Sequence, residues 1–239
     1  MGLTNPGQKD SAHDHARRVR EMFARISPRY DLLNHLLSAN IDSRWRRRVV
    51  KKLQPLLAEN ALVLDVGCGT GDLSIELFEK TAARVVGVDF CWPMLQLAKH
   101  KAPRLKLIEG DALKLPFADE TFDGVTTGFA LRNLSSVEQG LAEFKRVMKP
   151  RSWLAILEFS QPTVPGVRQL VRFYYRRLLP SIGGLLSGSR NAYEYLPDSI
   201  SKFPDQEKLA GMMRASGFEK VEFENLSGGI AALHVGRRA

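Results

Sequence analysis

The run Ala61-Leu62-Val63-Leu64-Asp65-Val66-Gly67-Cys68-Gly69-Thr70-Gly71-Asp72 decides the fold of this chain. An apolar stretch of strand length reaches an acid and turns through glycines at alternate positions. A helical pattern then opens at Leu73, Glu76, Leu77 and Lys80. Strand, glycine turn and helix in that order form the first unit of a doubly wound α/β sheet. Glycine lets the chain turn tightly and lets ligand atoms approach the backbone, while the helix start offers unpaired N–H groups.

Two later stretches repeat the strand-then-acid pattern. Residues 83–89 end at Asp89, roughly 20 residues past the turn, where a nucleoside-binding sheet places a carboxylate for ribose hydroxyls. Residues 105–112 run to Asp111 and Ala112. The glycine spacing is neither G-x-x-x-x-G-K-[ST] nor G-x-G-x-x-G. With Asp65 ahead of it, the turn resembles that of the class I S-adenosylmethionine-dependent methyltransferases. The resemblance implies an α/β fold of Rossmann-like type. It predicts a doubly wound, mostly parallel seven-stranded sheet with an N-terminal helical lid, and a helical insertion before the last helix and two strands.

The spacing predicts strands near 61–66, 83–89, 104–109, 122–128 and 153–159, with helices near 72–81, 92–101 and 137–148. Pro150 is expected to end the last of these helices. Ahead of the sheet, Val19, Met22, Phe23 and Ile26 mark one helix, residues 30–38 a short one, and Trp45 to Leu56 a third. Asp42 or Ser43 is the expected cap of the third, with Arg46 to Arg48 facing outward. Beyond the sheet, Val167, Leu170, Val171, Tyr174, Tyr175, Leu178 and Leu179 share one helical face, with Arg168, Arg172, Arg176 and Arg177 off it and Pro180 as a stop. A last helix over 204–216 and an antiparallel pair over 218–224 and 229–235 complete the chain. The expected domains are a disordered tail over 1–14, a lid over 15–58, and a methyltransferase domain over 59–239 with its insertion at 162–201.

The net charge of +9 over 239 residues is unevenly placed. From His13 to Pro55 there are eleven Lys/Arg against four Asp/Glu, and from Phe159 to Tyr193 five Arg and no acid, whereas Leu56 to Glu158 holds twelve bases and fourteen acids. The basic charge therefore sits on the additions, where an anionic membrane surface, a polyanion or plain solvent can meet it. The basic helix can lie on a membrane interface or pack on its own sheet. Two cysteines, without metal-ligand spacing, suit a reducing compartment. No run nears the ~20 apolar residues of a membrane span, and residues 1–14 do not read as a signal peptide. The expected location is cytoplasmic, with peripheral contact at the inner face of the membrane and a homo-oligomer both open.

Two stretches go beyond the cofactor site. Residues 30–38, continuing to Trp45, closely resemble the first signature of the ubiquinone/menaquinone biosynthesis C-methyltransferases. Arg146-Val147-Met148-Lys149-Pro150, running on to Leu157-Glu158-Phe159-Ser160, resembles the second. Phe129-Ala130-Leu131-Arg132-Asn133 is similar to that family's substrate loop, and Tyr193-Glu194-Tyr195-Leu196, Phe203-Pro204-Asp205-Gln206 and Ala232-Leu233-His234 also match. The likeness runs from about Phe23 to Gly236. Two departures stand out: Asp42 replaces a usual histidine, and Arg151-Ser152 replaces a usual glycine pair, at a backbone cost if either takes a positive φ.

The resemblance implies methyl transfer from S-adenosylmethionine to a ring carbon of a demethylated, isoprenoid-tailed quinol, leaving S-adenosylhomocysteine, with no metal. It implies that Gly67, Gly69, Thr70, Gly71, Asp89, Asp111, Ala112 and Gly128 line the cofactor. Asp65 is expected to orient the turn and the methionine amino group. Tyr30, Asn34 and Tyr195 are candidate quinol contacts, and His234 a weaker one. Arg132 and Asn133 are the candidate catalytic pair. A ring hydroxyl with a pKa of ~10 must ionise to activate its neighbouring carbon, and a guanidinium ~4 Å away contributes ~4 kcal/mol at an effective dielectric of 20. Arg132 stays protonated, so a water held by Arg132 and Asn133 is the expected proton acceptor. A salt bridge from Arg132 to a strand-end carboxylate is the structural alternative. Rival functions are methylation of RNA or another small molecule, and a non-catalytic accessory of quinone enzymes. The apolar periodicity of residues 159–193 and the lack of an asparagine-proline tetrad speak against nucleic acid.

Overall fold

A computed structural model describes residues 12–32, 38, 40–174 and 190–239. Seven strands form one sheet: β1 (Leu62–Val66), β2 (Arg84–Asp89), β3 (Lys106–Glu109), β4 (Phe122–Gly128), β5 (Met148–Phe159), β6 (Phe218–Leu226) and β7 (Ala231–Arg238). Their order is β3-β2-β1-β4-β5-β7-β6. The first five strands run parallel, while β7 lies antiparallel between β5 and β6. The expected doubly wound class I methyltransferase sheet is thus present, and its order reverses between β1 and β4. That reversal opens a crevice at the carboxyl ends of these strands.

The described helices are α1 (Ala12–Ile26), α2 (Ile41–Leu53), α3 (Asp72–Lys80), α4 (Trp92–Lys101), α5 (Val137–Val147), α6 (Pro165–Phe173), α7 (Arg190–Lys202) and α8 (Gln206–Ala215). Alternate strand residues enter opposite cores, as the two-residue period of a strand requires. Leu64, Val86, Leu154 and Ile156 pack with Leu141 and Phe144 of α5 and Leu209 and Met213 of α8. Val63, Val85, Ala155 and Leu157 pack with Trp45, Val49 and Leu53 of α2 and Leu73 and Leu77 of α3. The α2 helix is therefore part of the sheet's covering layer. Burying a side chain such as Leu53 contributes about 1.5–3 kcal/mol.

Three local expectations change. The N-cap of α2 is Asn40 at φ 60, not Asp42 or Ser43, and Asp42 is buried instead. The strand β5 begins at Met148, which pairs with Phe122 before the register resumes at Gly124 and Trp153. Residues 149–152 of β5 thus stand against the single residue Asp123 of β4, and Pro150 sits in that irregularity rather than merely after a helix. Within it Arg151 takes φ 65, the left-handed conformation that glycine would enter freely. On α6, Leu170 is 66 % exposed, so it does not pack on the sheet. Val167, Val171 and Tyr174 of the same predicted face are partly buried, while Tyr175, Leu178 and Leu179 and most of the 30–38 helix, Asn34 included, lie outside the described residues. No helix among the described residues is long and apolar enough to cross a membrane.

Candidate active site

The turn after β1 is held across β2, with the N–H groups of Gly67 and Cys68 donating to Val88 O at 2.8 and 3.1 Å. Gly67 has φ +67, and a Cβ there would lie 2.3 Å from the Cβ of Ala130. At Gly69, φ +55, a Cβ would meet nothing within 4 Å, so this edge of backbone faces open space. Gly71 caps α3 without a side-chain hydrogen bond. Its first N–H groups thus keep a partial positive field.

Two buried acids brace this turn. Asp89 accepts Gly69 N–H and Cys91 N–H, one on each oxygen, both at 2.8 Å. Burial raises its carboxyl pKa, and these backbone donors oppose that rise. Asp65 accepts from Ser74 Oγ on Oδ2 at 2.5 Å, while its buried Oδ1 has no partner. Burial pushes the Asp65 carboxyl up to about 7, and the nearby Asp89 adds to the rise.

Two cavities meet at the turn. The first is lined by Gly67, Gly69, Asp89, Asp111, Ala112, Gly128 and Asn133, with Phe90, Met94 and Leu113, and with Phe23 and Tyr30 from the N-terminal segment. The second is lined by Tyr30, Asp65, Gly67, Gly69, Thr70, Gly128 and Arg132, with Phe129 and Phe159. Every predicted cofactor residue except Gly71 lines one or both. Tyr195 faces a separate cleft of about 770 Å³ between α1 and α7, which it shares with Arg132 and His15. His234 lines none of these, and its Nε2 lies 2.9 Å from Gln206 O.

The loop after β4 is strained at its first residue. Phe129 has φ 59, and its N–H donates to Leu157 O at 2.8 Å. Its carbonyl accepts from Arg132 Nη1, and from Asn133 Nδ2 at 3.3 Å. Such outliers persist where the surroundings over-determine them. Arg132 Nη1 also lies 2.8 Å from Glu158 Oε1, with the two side chains only 6 and 2 % exposed. This is the strand-end salt bridge, and it alters the electrostatic expectation. The ~4 kcal/mol assigned above to a lone guanidinium is largely compensated by its own carboxylate. The expected water site changes too: Asn133 Oδ1 accepts from Tyr195 OH at 3.0 Å and its Nδ2 is turned to Phe129 O. Burial raises the pKa of the Tyr195 phenol.

Charged groups tie the N-terminal segment to the turn. Lys101 Nζ of α4 lies 2.9 Å from Asp31 and 2.5 Å from Asp72, and Thr70 Oγ1 donates to Asp31 at 2.5 Å. Arg46, expected on the solvent face, is 12 % exposed and bridges Asp42 at 2.7 Å and Asp72 at 3.1 Å. Asp42 thus occupies the usual histidine position as half of an ion pair. Sequence reasoning also missed the aromatic wall of Trp45, Phe129 and Phe159, whose ring centres lie 4.7–6.2 Å apart. The apolar character of all three in signature stretches was its only signal.

The chain as a whole is similar to known proteins. The chain is 47% identical to a demethylmenaquinone methyltransferase of Thermus thermophilus, covering 91% of this chain and 100% of that one. It is 44% identical to a ubiquinone/menaquinone biosynthesis C-methyltransferase UbiE of Citrifermentans bemidjiense, covering 92 and 96%. Among solved structures, a SAM-dependent methyltransferase of Thermotoga maritima, described as a possible histamine N-methyltransferase, superposes with a TM-score of 0.64 at 17% identity. It covers 92% of this chain and 99% of its own, which speaks for the fold alone. The pattern of the ubiE/COQ5 methyltransferase family matches residues 10–238, and the chain belongs to that family.

Proposed function

We propose that this protein is an S-adenosylmethionine-dependent C-methyltransferase acting on a ring carbon of a demethylated isoprenoid quinol. The observation that carries the reading is the 47% identity, across nearly the whole chain, to a relative named for demethylmenaquinone.

The residues present fit the cofactor. The unpartnered, buried Asp65 Oδ1 suits an ammonium donor, and the open edge at Gly69 suits a ligand lying on the backbone. Asp89 keeps spare lone pairs for ribose hydroxyls, since a carboxylate accepts about four hydrogen bonds. Asp111 and Ala112 would border the adenine, with Gly67, Thr70, Gly71 and Gly128 shaping the rest. When bound, S-adenosylmethionine supplies an electrophilic methyl group.

The chain's own task is to orient the acceptor carbon and favour ionisation of the adjacent hydroxyl. Arg132 would donate to that oxygen, with Asn133 holding the loop and Tyr30, Asn34 and Tyr195 as acceptor contacts. The hydroxyl proton leaves to water, because Arg132 keeps its own. The exposed apolar Leu170 beside Arg168 supports delivery of the tail from an anionic membrane surface. Arg172, Arg176 and Arg177 changed together to Gln should then weaken sedimentation with anionic vesicles.

The direct test incubates the purified protein with methyl-labelled S-adenosylmethionine and reduced demethylmenaquinone, with a demethylated benzoquinol in parallel. Label on a ring carbon of either is expected. Absence of label in both, with catalytically competent cofactor, would reject the reading.

A further inference from the structure

Glu158, next to last in β5, is almost fully buried, where a lone carboxylate would be strongly disfavoured. Three donors satisfy it. Oε1 accepts Arg132 Nη1 at 2.8 Å and Phe159 N–H at 2.9 Å, and Oε2 accepts Arg132 N–H at 3.2 Å. One acid thus holds both the guanidinium and the backbone of the residue that bears it.

The way it does so divides the guanidinium. Nη1 is spent on Glu158 and on Phe129 O. Nε is buried and has no partner, and no described residue accepts from Nη2. Nε–H and Nη2–H form one edge of a rigid planar fork, the geometry that grips an oxygen through two donors. An unmatched donor at such depth is costly and calls for an acceptor that arrives with a ligand.

Resting on the quinol reading above, we propose that Glu158 is the positioning residue of the reaction. By occupying Nη1 it presents the Nε–Nη2 edge of Arg132 to the acceptor's ring oxygen. By its charge it keeps the pocket neutral until that oxygen ionises. The other ionisable groups lining the two cavities that Arg132 borders are His15, Arg18, Glu21, Arg25, Glu138, Tyr195, Asp198 and Lys202 in the cleft, and Tyr30, Asp42, Arg46, Asp65, Cys68 and Asp72 in the second cavity.

The test compares Glu158→Gln, Glu158→Asp and Arg132→Lys with the unaltered protein, using reduced demethylmenaquinone over a range of pH. Glu158→Gln removes the charge and turns an amide N–H toward other donors. A kcat loss of about tenfold or more is expected, with cofactor Kd unchanged. The limb of the profile that reports hydroxyl ionisation should move down by about one pH unit, because the cation is no longer compensated. Glu158→Asp should keep that limb in place while losing part of kcat. Arg132→Lys offers a point charge without the fork and should lose at least as much kcat as Glu158→Gln. If Glu158→Gln does not fold, Arg132→Lys decides alone. Turnover by Arg132→Lys at the unaltered rate, or a Glu158→Gln profile superposing on the original, would overturn the inference while leaving the quinol reading intact. Absence of turnover in the unaltered protein would reject both.

Discussion

Asp65 and Glu158 close strands on opposite sides of the crevice, and each is 1 % exposed. Their surroundings differ. Glu158 has donors on both oxygens, one from a guanidinium, and is complete within the chain. Asp65 is served by Ser74 alone, and its Oδ1 has no hydrogen-bond partner. A complete buried acid fixes its neighbours, whereas an incomplete one is kept at a cost in folding energy that a ligand can recover. On the cofactor side the acid itself is thus left to be finished from outside, whereas on the acceptor side the acid is complete and the open donor is the Nε of the arginine it holds.

The largest expected effect comes from breaking the complete side. Arg132→Ala strips Glu158 of its guanidinium and should cost about 3–5 kcal/mol of stability in denaturant titrations. Below its unfolding range the variant should lose turnover on the order of a hundredfold to a thousandfold. Its calorimetric affinity for S-adenosylmethionine should match the original, and a parallel loss there would erase the division between the two sides.

Breaking the incomplete side acts on binding and on pH. A free carboxyl ionises near 4, while Asp65 keeps its proton to about 7, so folding takes up a proton between those values. The cofactor-free protein should therefore lose roughly 4 kcal/mol from this group as pH rises from about 4 to about 7. Asp89, also raised by burial, acts in the same direction. Asp65→Asn should flatten much of that slope and weaken cofactor binding about tenfold at pH 8, where the original is ionised. An unchanged slope would mean that Asp65 is not the group that titrates.

Two milder changes sharpen the contrast by leaving both acids alone. Lys101→Gln loosens the tie between Asp31 and Asp72 and should speed cofactor release about two- to threefold in stopped flow, less in high salt. Arg151→Gly removes a positive-φ side chain from the β5 irregularity and should raise stability by about 1 kcal/mol, with activity unaltered. That corresponds to a Tm gain of about 2–4 °C in a chain of this size.

Much of this was open to a reader of the sequence, for identifiable reasons. Strands buried on both faces give apolar runs, so β1 and β2 announce themselves, and Asp65 and Asp89 at their ends stand out. The Arg132–Glu158 pair was harder, because its members are 26 positions apart and Glu158 sits in a run that reads as plain strand. Arg46 misled for the opposite reason. Within Arg44-Trp45-Arg46-Arg47-Arg48 it looks solvated, and Asp42 one turn earlier together with Asp72 at the start of α3 draw it inward. Pro150 signalled a break correctly but could not reveal that the strand had already begun.

The placement of β7 carries a consequence for synthesis. Residues 231–238 thread between β5 and β6, and Ala232 lies opposite Glu158 in the ladder. A ribosome delivers β1 to β6 before this strand, so the edge beside Glu158 stays uncovered until nearly all the rest has emerged. Nascent chains arrested short of residue 231 should remain protease-sensitive around 129–133, and early protection there would show that the loop sets without its cover.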